Sequence, residues 1–558
     1  MRRLYWPNGT LKRELDRYWN EQGEELKVDV AVVRATLPPQ PKPAPLNLNF
    51  FERFPKYLLD APSWPKTPPP QMTCTWPATL NVDVLYVFGL TESAYGHFQP
   101  WLHEDGRRRL IFIENDPGVI SHLIDAELFR DAQVDFELLE ESSLDRLAER
   151  YPSARVEVVL SPRFQTRRFQ KMRQALLHKT ALSSALFLDR LYGDRLFGHF
   201  LQNAPRFEGG FYANGLENAF ADVPAIVCGA GPSLEAALDM IRRLDGKALI
   251  LAGGSAITAL SSAGIEPHFG VAVDPNIEEF ERFRNSFFDG ALILSTRVHP
   301  GIFATCNGPF GYLCSGVGNA AESWWEKTIG LEGKSLSETM PKDAMSVTML
   351  SLAFAAHLGC KTIILAGMDL AYTHGKRYAK GVCSDSANRK DETPAILDRL
   401  VHKKSKTGKQ VTTAVRWVME ANTIAQFAKA HPQIRWINAT PGGLSIEGIE
   451  EMAPDAVQLT GSDDLRAKIA QEIAKHPMPD LPRDLLKPLH ESLVRTVGHL
   501  EILAGKKVGS KALAEWELQE ELAVEVLFYD VPRILAQAEN LGLKSGFELY
   551  LEIAERYT

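Results

Sequence analysis

The sequence predicts an α/β fold, in which a central doubly wound, Rossmann-like parallel sheet is flanked by a smaller N-terminal α/β domain and a C-terminal helical domain. Two observations predict the central sheet. Between residues 225 and 367, short apolar runs alternate with amphipathic helical patterns, as parallel strands joined by helices do. Several of these runs end in glycine or in a short polar side chain, and such strand ends line the ligand crevice of parallel sheets. The predicted domains span residues 1–204, 205–445 and 446–558.

Composition narrows the class of protein. The chain has 558 residues, of which 45% are hydrophobic and 24% charged, and this length suits about three to four domains. A net charge of −8 without a long basic cluster argues against a nucleic-acid-binding protein. Six cysteines without Cys-x-x-Cys spacing favour reduced, buried thiols over a metal site. The N-terminus has no apolar signal segment and no apolar run is long enough to cross a membrane, so we expect a cytoplasmic protein without membrane insertion.

The N-terminal part contains two proline-rich connectors, at residues 37–45 and 62–70, followed by a compact α/β pattern. Apolar runs at residues 82–88, 109–114 and 155–160 predict strands. Glu114 ends the second strand, where Rossmann-type folds often place an acidic ribose ligand. The glycine signature is degenerate, with only Gly89 and Gly96, which favours a structural domain over a second working nucleotide site. A long helix is predicted from 164 to 201.

The motif that points most directly to function is Ala-Ile-Val-Cys-Gly-Ala-Gly-Pro-Ser-Leu at residues 225–234. It predicts a buried strand, a tight turn and a helix that Ser233 caps and Pro232 opens. A helix N-terminus offers unpaired N–H groups to an anion, so the turn is a candidate phosphate site. Its predicted ligands are Gly229, Ala230, Gly231, Pro232 and Ser233. The turn lacks the ending of a P-loop and the third glycine of the dinucleotide fingerprint, so a purely structural turn remains the alternative.

Later strand ends carry further candidate ligands. One strand ends at Gly253-Gly254-Ser255, and the next ends at Asp274-Pro275-Asn276. A strand near residue 312 leads into Ser315, Gly316 and Asn319, and another at residues 362–367 leads to Asp369, which either binds ligand or orders its loop. Because parallel strands end at one edge of a sheet, these residues are expected to share a crevice. Beyond residue 462 the sequence predicts helices, with one apolar stripe at Leu486, Leu489, Leu493, Val497 and Leu500.

The central domain resembles the motility accessory factor family, bacterial proteins linked to flagellin glycosylation by nonulosonic acids, which are sugars of the sialic-acid type. The resemblance rests on three motifs in order: Cys-Gly-Ala-Gly-Pro-Ser-Leu at 228–234, Ala-Gly-Ile-Glu-Pro at 263–267 with Val-Asp-Pro at 273–275, and Leu-Gly-Cys-Lys-Thr-Ile-Ile-Leu-Ala-Gly-Met-Asp-Leu-Ala-Tyr at 358–372. It covers the central domain strongly and the N-terminal domain weakly.

The same domain is similar to bacterial sialyltransferases that use CMP-sialic acid. Their Gly-x-Asp followed by tyrosine, glycine and tyrosine is matched by Gly367-Met368-Asp369, Tyr372, Gly375 and Tyr378. The similarity implies that Tyr372 and Tyr378 donate hydrogen bonds to the departing phosphate. From the chemistry of such a transfer, we expect Asp274 and Asn276 to hold the ribose or cytosine and Gly254 and Ser255 to let the base approach. We expect the loop with Ser315, Gly316 and Asn319 to contact the sugar or its phosphate.

This chain departs from the sialyltransferases at several positions. Ala230 and Asp274 stand where those enzymes have asparagine, whereas Tyr378 is a histidine in many motility accessory factors. The catalytic histidine of the sialyltransferases follows the second tyrosine, and the nearest candidates for a base here are His402 and His374, for both of which a solvated loop histidine is the alternative.

The resemblance implies a glycosyltransferase that moves a nonulosonic acid from CMP to Ser or Thr of a protein acceptor, with flagellin as the family expectation. It requires no metal or other cofactor beyond the CMP-sugar. A second resemblance, to an archaeal 6-hydroxymethylpterin diphosphokinase, implies instead a transfer of pyrophosphate from ATP, with Mg²⁺ held by Asp274 and Asp369. A flagellin-binding chaperone without catalytic activity is a third hypothesis.

Overall fold

The computed structural model describes residues 63–69, 76, 82–140, 143–151, 154–191, 193–316, 320–331, 335–341, 344, 346–382, 400–461, 464–527 and 546–558. These residues divide into two compact units. The first falls within Met1–Leu191 and Ala536–Ser545, and the second within Tyr192–Leu535 and Gly546–Thr558.

The first unit contains a four-stranded parallel sheet in the order β3-β2-β1-β4. Its strands are β1 Val84–Phe88, β2 Arg109–Glu114, β3 Val134–Leu138 and β4 Val156–Leu160. The helices are α1 Glu92–Glu104, α2 Pro117–Leu123, α3 Ser143–Arg150 and α4 Arg167–Leu191. Every residue of β1 is buried, so its continuous apolar run reflects packing on both faces of the sheet. The predicted α/β character of this region is confirmed.

Glu114, the predicted acidic residue at the end of β2, orders a loop of the first unit. Its buried carboxylate accepts hydrogen bonds from the backbone N–H groups of Leu90, Asn115 and Asp116, at 3.1, 2.8 and 3.0 Å. The turn at Gly89 has no room for a side chain, because a Cβ there would lie 2.1 Å from Ser161 Oγ. These contacts favour a structural role for Glu114.

The second unit contains a nine-stranded sheet in the order β15-β14-β11-β6-β7-β8-β9-β10-β5, in which every pair is parallel. Its strands are β5 Phe211–Tyr212, β6 Ala225–Cys228, β7 Leu249–Gly253, β8 Phe269–Ala272, β9 Ala291–Leu294, β10 Phe310–Tyr312, β11 Thr362–Ala366, β14 Arg435–Asn438 and β15 Glu450–Glu451. The chain builds outward from β6 to β10 and then returns to place β11 on the other side of β6. The predicted doubly wound sheet is therefore confirmed, with its switch point between β6 and β11.

Helices cover both faces of this sheet. They are α5 Gly193–Asn203, α6 Leu234–Leu244, α7 Gly254–Ser262, α8 Ile277–Arg284, α9 Ile302–Thr305, α10 Ala320–Thr328, α11 Val347–His357 and α12 Val415–Ala430. Alternate residues of each strand enter two different apolar clusters: Ile226 and Ile250 pack on one face, and Val227 and Leu251 on the other. A separate antiparallel hairpin is formed by β12 Leu400–Lys404 and β13 Gln410–Ala414.

The C-terminal part of the second unit is helical, as the sequence predicts. Its helices are α13 Leu465–Ala474, α14 Lys487–Leu503, α15 Lys511–Gln519, α16 Leu522–Val526 and α17 Gly546–Tyr557. The predicted apolar stripe on α14 is buried at Leu489, Leu493 and Leu500. Leu489 and Leu493 join the same apolar cluster as the strands. Both sides of the predicted boundary at residue 445 lie in one unit and β15 follows that boundary, so the division into central and C-terminal domains stays a prediction.

The structure also bears on the predictions about membrane-spanning segments and cysteines. No helix within the described ranges is both long and apolar enough to span a membrane. Cys228, Cys306, Cys314 and Cys360 are buried and form no disulfide; burial raises the pKa of the Cys228 thiol to about 12, which keeps it protonated.

Candidate functional site

An open cavity of about 220 Å³ lies at the switch point, where the loops after β6, β7, β8 and β11 meet residues of α8, α11 and α12. Several sequence-predicted site residues line it together: Gly229, Ala230, Gly231, Gly254, Ser255, Asp274, Asp369 and Tyr378. The sheet topology brings them together, because the carboxyl ends of β6, β7, β8 and β11 lie at one edge.

The loop after β6 is tied to the loop after β11 by Ser233 and Asp369. Ser233 Oγ donates to Asp369 Oδ1 at 2.6 Å, and the Ser233 backbone N–H donates to Oδ2 at 3.0 Å. Ser233 Oγ also accepts from the N–H of Gly442 at 3.1 Å. The prediction that the Ser233 side chain caps α6 is therefore wrong: Ser233 stands at the N-cap position, but its hydroxyl makes no capping bond. Asp369, only 1% exposed, has the loop-ordering role.

This carboxylate also lies at the phosphate site that the sequence predicts at the start of α6. The N–H groups of Gly229, Gly231 and Leu234 donate to the carbonyls of Ala366, Gly367 and Gly231, at 2.8, 2.9 and 3.0 Å. The N–H of Ser233 already points to a carboxylate. These four backbone donors are thus engaged within the protein, and the Asp369 carboxylate lies at the positive end of the helix. Phosphate binding at this turn stays a prediction.

Two glycines of the cavity wall are required by close packing. A Cβ on Gly231 would lie 2.2 Å from Asp369 Oδ2, and one on Gly254 would lie 2.6 Å from Glu279 Oε2. Both distances are far below van der Waals contact, so a carboxylate fills the space that each missing side chain leaves. Glycine at these positions therefore does not by itself indicate a ligand.

Glu279 and Arg282 form a buried ion pair at the cavity wall, one turn apart on α8. Arg282 Nη1 lies 3.0 Å from Glu279 Oε2, and the two side chains are 12% and 3% exposed. Burial raises the pKa of Glu279 to about 7, although the positive charge of Arg282 opposes the shift; nearby Asp274 adds to it. The second oxygen, Oε1, is buried and has no hydrogen-bond partner among the described residues.

Arg377 and Tyr378 contribute a cation and a phenol to the same wall. The Arg377 guanidinium lies over the ring of Tyr378, 5.0 Å from its centroid. Tyr372 is placed differently: it is buried, its ring lies 5.0 Å from that of Trp417, and Trp417 rather than Tyr372 lines the cavity. The structure thus brings one of the two predicted tyrosines to the cavity, and the phosphate-binding role of both stays a prediction.

On the opposite side, the cavity is bounded by α11 and α12. Ser346 caps α11 by accepting from the N–H of Met349 at 3.0 Å, and its hydroxyl donates to Glu420 Oε1 at 2.6 Å. Burial raises the pKa of Glu420, while hydrogen bonds from Ser346 and Thr348 oppose the shift. Thr348, Trp417 and Glu420 all line the cavity.

The remaining predicted residues lie outside the cavity wall. Both candidate histidines are exposed: His374 occupies a turn at φ 54°, and His402 lies on β12. The Asn276 backbone N–H donates to Asp274 Oδ1 at 3.1 Å. Three further predicted ligands do not line the cavity either: Pro232, Ser315 and Gly316.

Asn319, another predicted ligand, lies outside the described residues. Within the part of the chain that is described, no group of three or more His, Cys, Asp and Glu side chains is arranged to hold a metal ion. Asp369, one of the two Mg²⁺ ligands of the diphosphokinase hypothesis, has both oxygens engaged by Ser233. Both Asp274 and Asp369 line the cavity, and the Mg²⁺ site of this hypothesis stays a prediction.

Sequence reasoning missed Glu279, Arg282, Arg377, Trp417 and Glu420, which all line the cavity. One local signal was available for the first two. They stand at i and i+3 on a helix that begins just after the strand end at Asp274, so their side chains share one face near the crevice. For the tryptophan and Glu420 no local signal exists, because α12 reaches the cavity through tertiary packing.

Residues 198–375 match the family model described as 6-hydroxymethylpterin diphosphokinase MptE-like, which supports the predicted MptE-like character of the central region. No curated protein sequence matches the chain. Among solved structures, the chain is similar to a MAf glycosyltransferase from Magnetospirillum magneticum AMB-1, over 99% of this chain and 87% of that chain, with 14% identity and a TM-score of 0.47. At these values the structural likeness does not bear on activity. The family segment covers the loops after β6, β7 and β8 and ends within the loop after β11, before Tyr378.

Proposed function

We propose that this protein is a glycosyltransferase that moves a nonulosonic acid from a CMP donor to a Ser or Thr hydroxyl of a protein acceptor in the cytoplasm, with flagellin as the acceptor that the motif resemblance implies. The observation that carries the proposal is the cavity at the switch point of the parallel sheet, which gathers the motif residues of three strand ends. Nucleotides bind at this point in doubly wound sheets.

The phosphate of the donor would be bound by side chains rather than by the start of α6. Arg282, Arg377 and Tyr378 line the cavity and offer two guanidinium groups and a phenolic hydroxyl. Cleavage of the bond between the sugar and CMP leaves negative charge on the phosphate, and donors aimed at that charge lower the barrier, each by roughly 3–4 kcal/mol when desolvated. These residues supply positive charge without a metal ion.

The nucleoside would lie along the ends of β7 and β8. Gly254 and Ser255 line the cavity at the start of α7, and Asp274 presents a half-buried carboxylate that can accept hydrogen bonds from ribose hydroxyls or from the cytosine amino group. Trp417 and Thr348 on the opposite wall would contact the sugar.

A second candidate function, pyrophosphate transfer from ATP, is favoured by the MptE-like match over residues 198–375. It requires Mg²⁺, for which Asp274 remains available while Asp369 is engaged by Ser233. The chaperone hypothesis predicts binding of a protein partner without a nucleotide.

Calorimetric titration with CMP, and separately with ATP and Mg²⁺, distinguishes these functions. We expect CMP to bind without metal, and Tyr378→Phe to weaken it about tenfold, because one hydrogen bond to a charged phosphate is lost. Tyr372→Phe is the matched control: its ring packs on Trp417, so it should change CMP affinity less. Binding of ATP only with Mg²⁺, lost in Asp274→Ala, would instead identify the diphosphokinase. If neither nucleotide binds, the chaperone hypothesis is the one of the three that is retained.

A further inference from the structure

The transfer reaction needs a group that takes the proton of the acceptor hydroxyl, and the two histidines that the sequence suggests are exposed and lie away from the cavity. A general base must reach the reacting hydroxyl within hydrogen-bond distance. The described carboxylates of the cavity wall are the remaining candidates: Asp274, Glu279, Asp369 and Glu420.

Three of these carboxylates already hold the protein together. Asp369 accepts from the N–H and hydroxyl of Ser233 with its two oxygens. Glu420 accepts from Ser346, which caps α11. Asp274 accepts from the backbone N–H of Asn276 at the start of α8. Loss of any of them would leave buried or turn-forming donors unpaired.

Glu279 differs because, among these four described carboxylates, it alone has a buried oxygen without a hydrogen-bond partner. Arg282 Nη1 fixes Oε2 at 3.0 Å, whereas Oε1 is buried at the cavity wall without a hydrogen-bond partner in the described structure. A buried acceptor without a donor costs free energy. A hydroxyl group of a bound substrate would remove that cost.

We infer that Glu279 is the general base of the transfer, an inference that rests on the proposed function. The hydroxyl oxygen of the acceptor forms the bond to the anomeric carbon of the sugar, and the bond from that carbon to the phosphate oxygen breaks. Its electron pair leaves with CMP, and the hydroxyl proton moves to Oε1 of Glu279. Arg282 holds the carboxylate in place and lies beside the departing phosphate.

The charged surroundings of Glu279 suit this role. From its own helix Arg282 favours the ionised form, from the loop after β8 Asp274 disfavours it, and the N–H at Gly254, the start of α7, favours it. Tyr378 faces Arg282 from the loop after β11. With desolvation as the largest effect, the pKa of Glu279 lies at about 7, so near neutral pH the carboxylate can both accept and release a proton.

The test uses CMP-N-acetylneuraminic acid as donor and water as acceptor, with CMP release measured from pH 5.5 to 9. Because only the ionised carboxylate accepts a proton, wild-type kcat should rise with pH and level off above about 7. Glu279→Gln should lower kcat about 100-fold or more and abolish this rise, while the calorimetric Kd for CMP stays within about threefold, since the amide replaces the carboxylate with the same shape. Azide should restore part of the rate to Glu279→Ala, which a structural role would not allow.

Glu281→Gln is the matched control, because Glu281 lies on the same helix and pairs with Arg284 instead. It should keep both the rate and the pH profile. A Glu279→Gln protein that retains the rise in kcat, or that loses CMP affinity in proportion to rate, would overturn the base assignment alone. Two results would overturn the proposed transfer on which the assignment rests. One is a wild-type protein that does not bind CMP, and the other is a wild-type protein that binds CMP but does not cleave CMP-N-acetylneuraminic acid.

Discussion

At the scale of single residues, Ser233 occupies a position that suits two different roles. A serine at the first residue before a helix commonly caps it, and aspartate caps equally well. Here the hydroxyl is instead a donor to Asp369 and an acceptor from Gly442, so its proton is as important as its oxygen. An acceptor-only side chain cannot replace it.

This difference gives a prediction at residue scale. Ser233→Asp should destabilise the second unit more than Ser233→Ala, because it brings a second carboxylate against the buried Asp369. We expect Ser233→Ala to lower the free energy of unfolding by roughly 1–3 kcal/mol through the unpaired groups it leaves. Urea unfolding of both variants measures which of them has the lower free energy of unfolding. If Ser233→Asp proved as stable as wild type, the hydroxyl would be a helix cap after all.

At the scale of elements, the junction of β6 and α6 depends on a contact with the loop after β11. The turn residues Gly229 and Gly231 donate to carbonyls of that loop, and Gly367, with φ 67°, allows the loop to approach. The two strands on either side of the switch point are thus joined both by the sheet ladder and by their following loops. The wall of the cavity on this side is therefore held by hydrogen bonds between the two loops.

Gly231→Ala tests this junction. A Cβ at this position would lie 2.2 Å from Asp369 Oδ2, so the carboxylate must move and release Ser233. We expect a loss of roughly 2–4 kcal/mol in unfolding free energy together with a large loss of CMP affinity. Gly498→Ala, in α14 with no atom within 4 Å of its Cβ, is the control, and it should stabilise by about 0.5–1 kcal/mol through helix propensity. Equal effects of the two substitutions would contradict the role of the contact.

At the scale of the whole molecule, the second unit is completed by a helix distant in sequence. Residues of α17 pack in its interior: Leu551 and Ala554 are fully buried, and the ring of Tyr557 lies 5.3 Å from that of Phe197 on α5. The same helix packs along α14, so it covers apolar surface of both helices. Its loss exposes that surface to water.

Deletion of residues 546–558 should accordingly destabilise the second unit by about 3–6 kcal/mol, from the apolar side chains that α17 buries. Differential scanning calorimetry would record a lower unfolding temperature for this unit. Glu555→Gln, on the exposed side of the same helix, should leave that temperature nearly unchanged. An unaltered transition after the deletion would mean that α17 adds little to stability.

Much of the fold follows from local pattern. The apolar runs that became β6, β7, β8 and β11 are each short enough to be recognised as buried strands, and glycine or a polar residue ends each of them. Because parallel strands end at one edge, the sequence also determined that Gly229, Gly254, Asp274 and Asp369 would share a cavity. The alternation of strands and helices was sufficient for the doubly wound class.

What the tertiary structure alone decided is which of these groups remain available to a ligand. Ser233 and Asp369 are 136 residues apart, and their hydrogen bonds place a carboxylate of the protein at the start of α6. Packing buries Glu279 beside Arg282 while leaving both histidines in solvent. Local sequence fixes where a side chain stands along a strand or helix, but hydrogen-bond partners and desolvation depend on groups brought together only when the sheet is assembled.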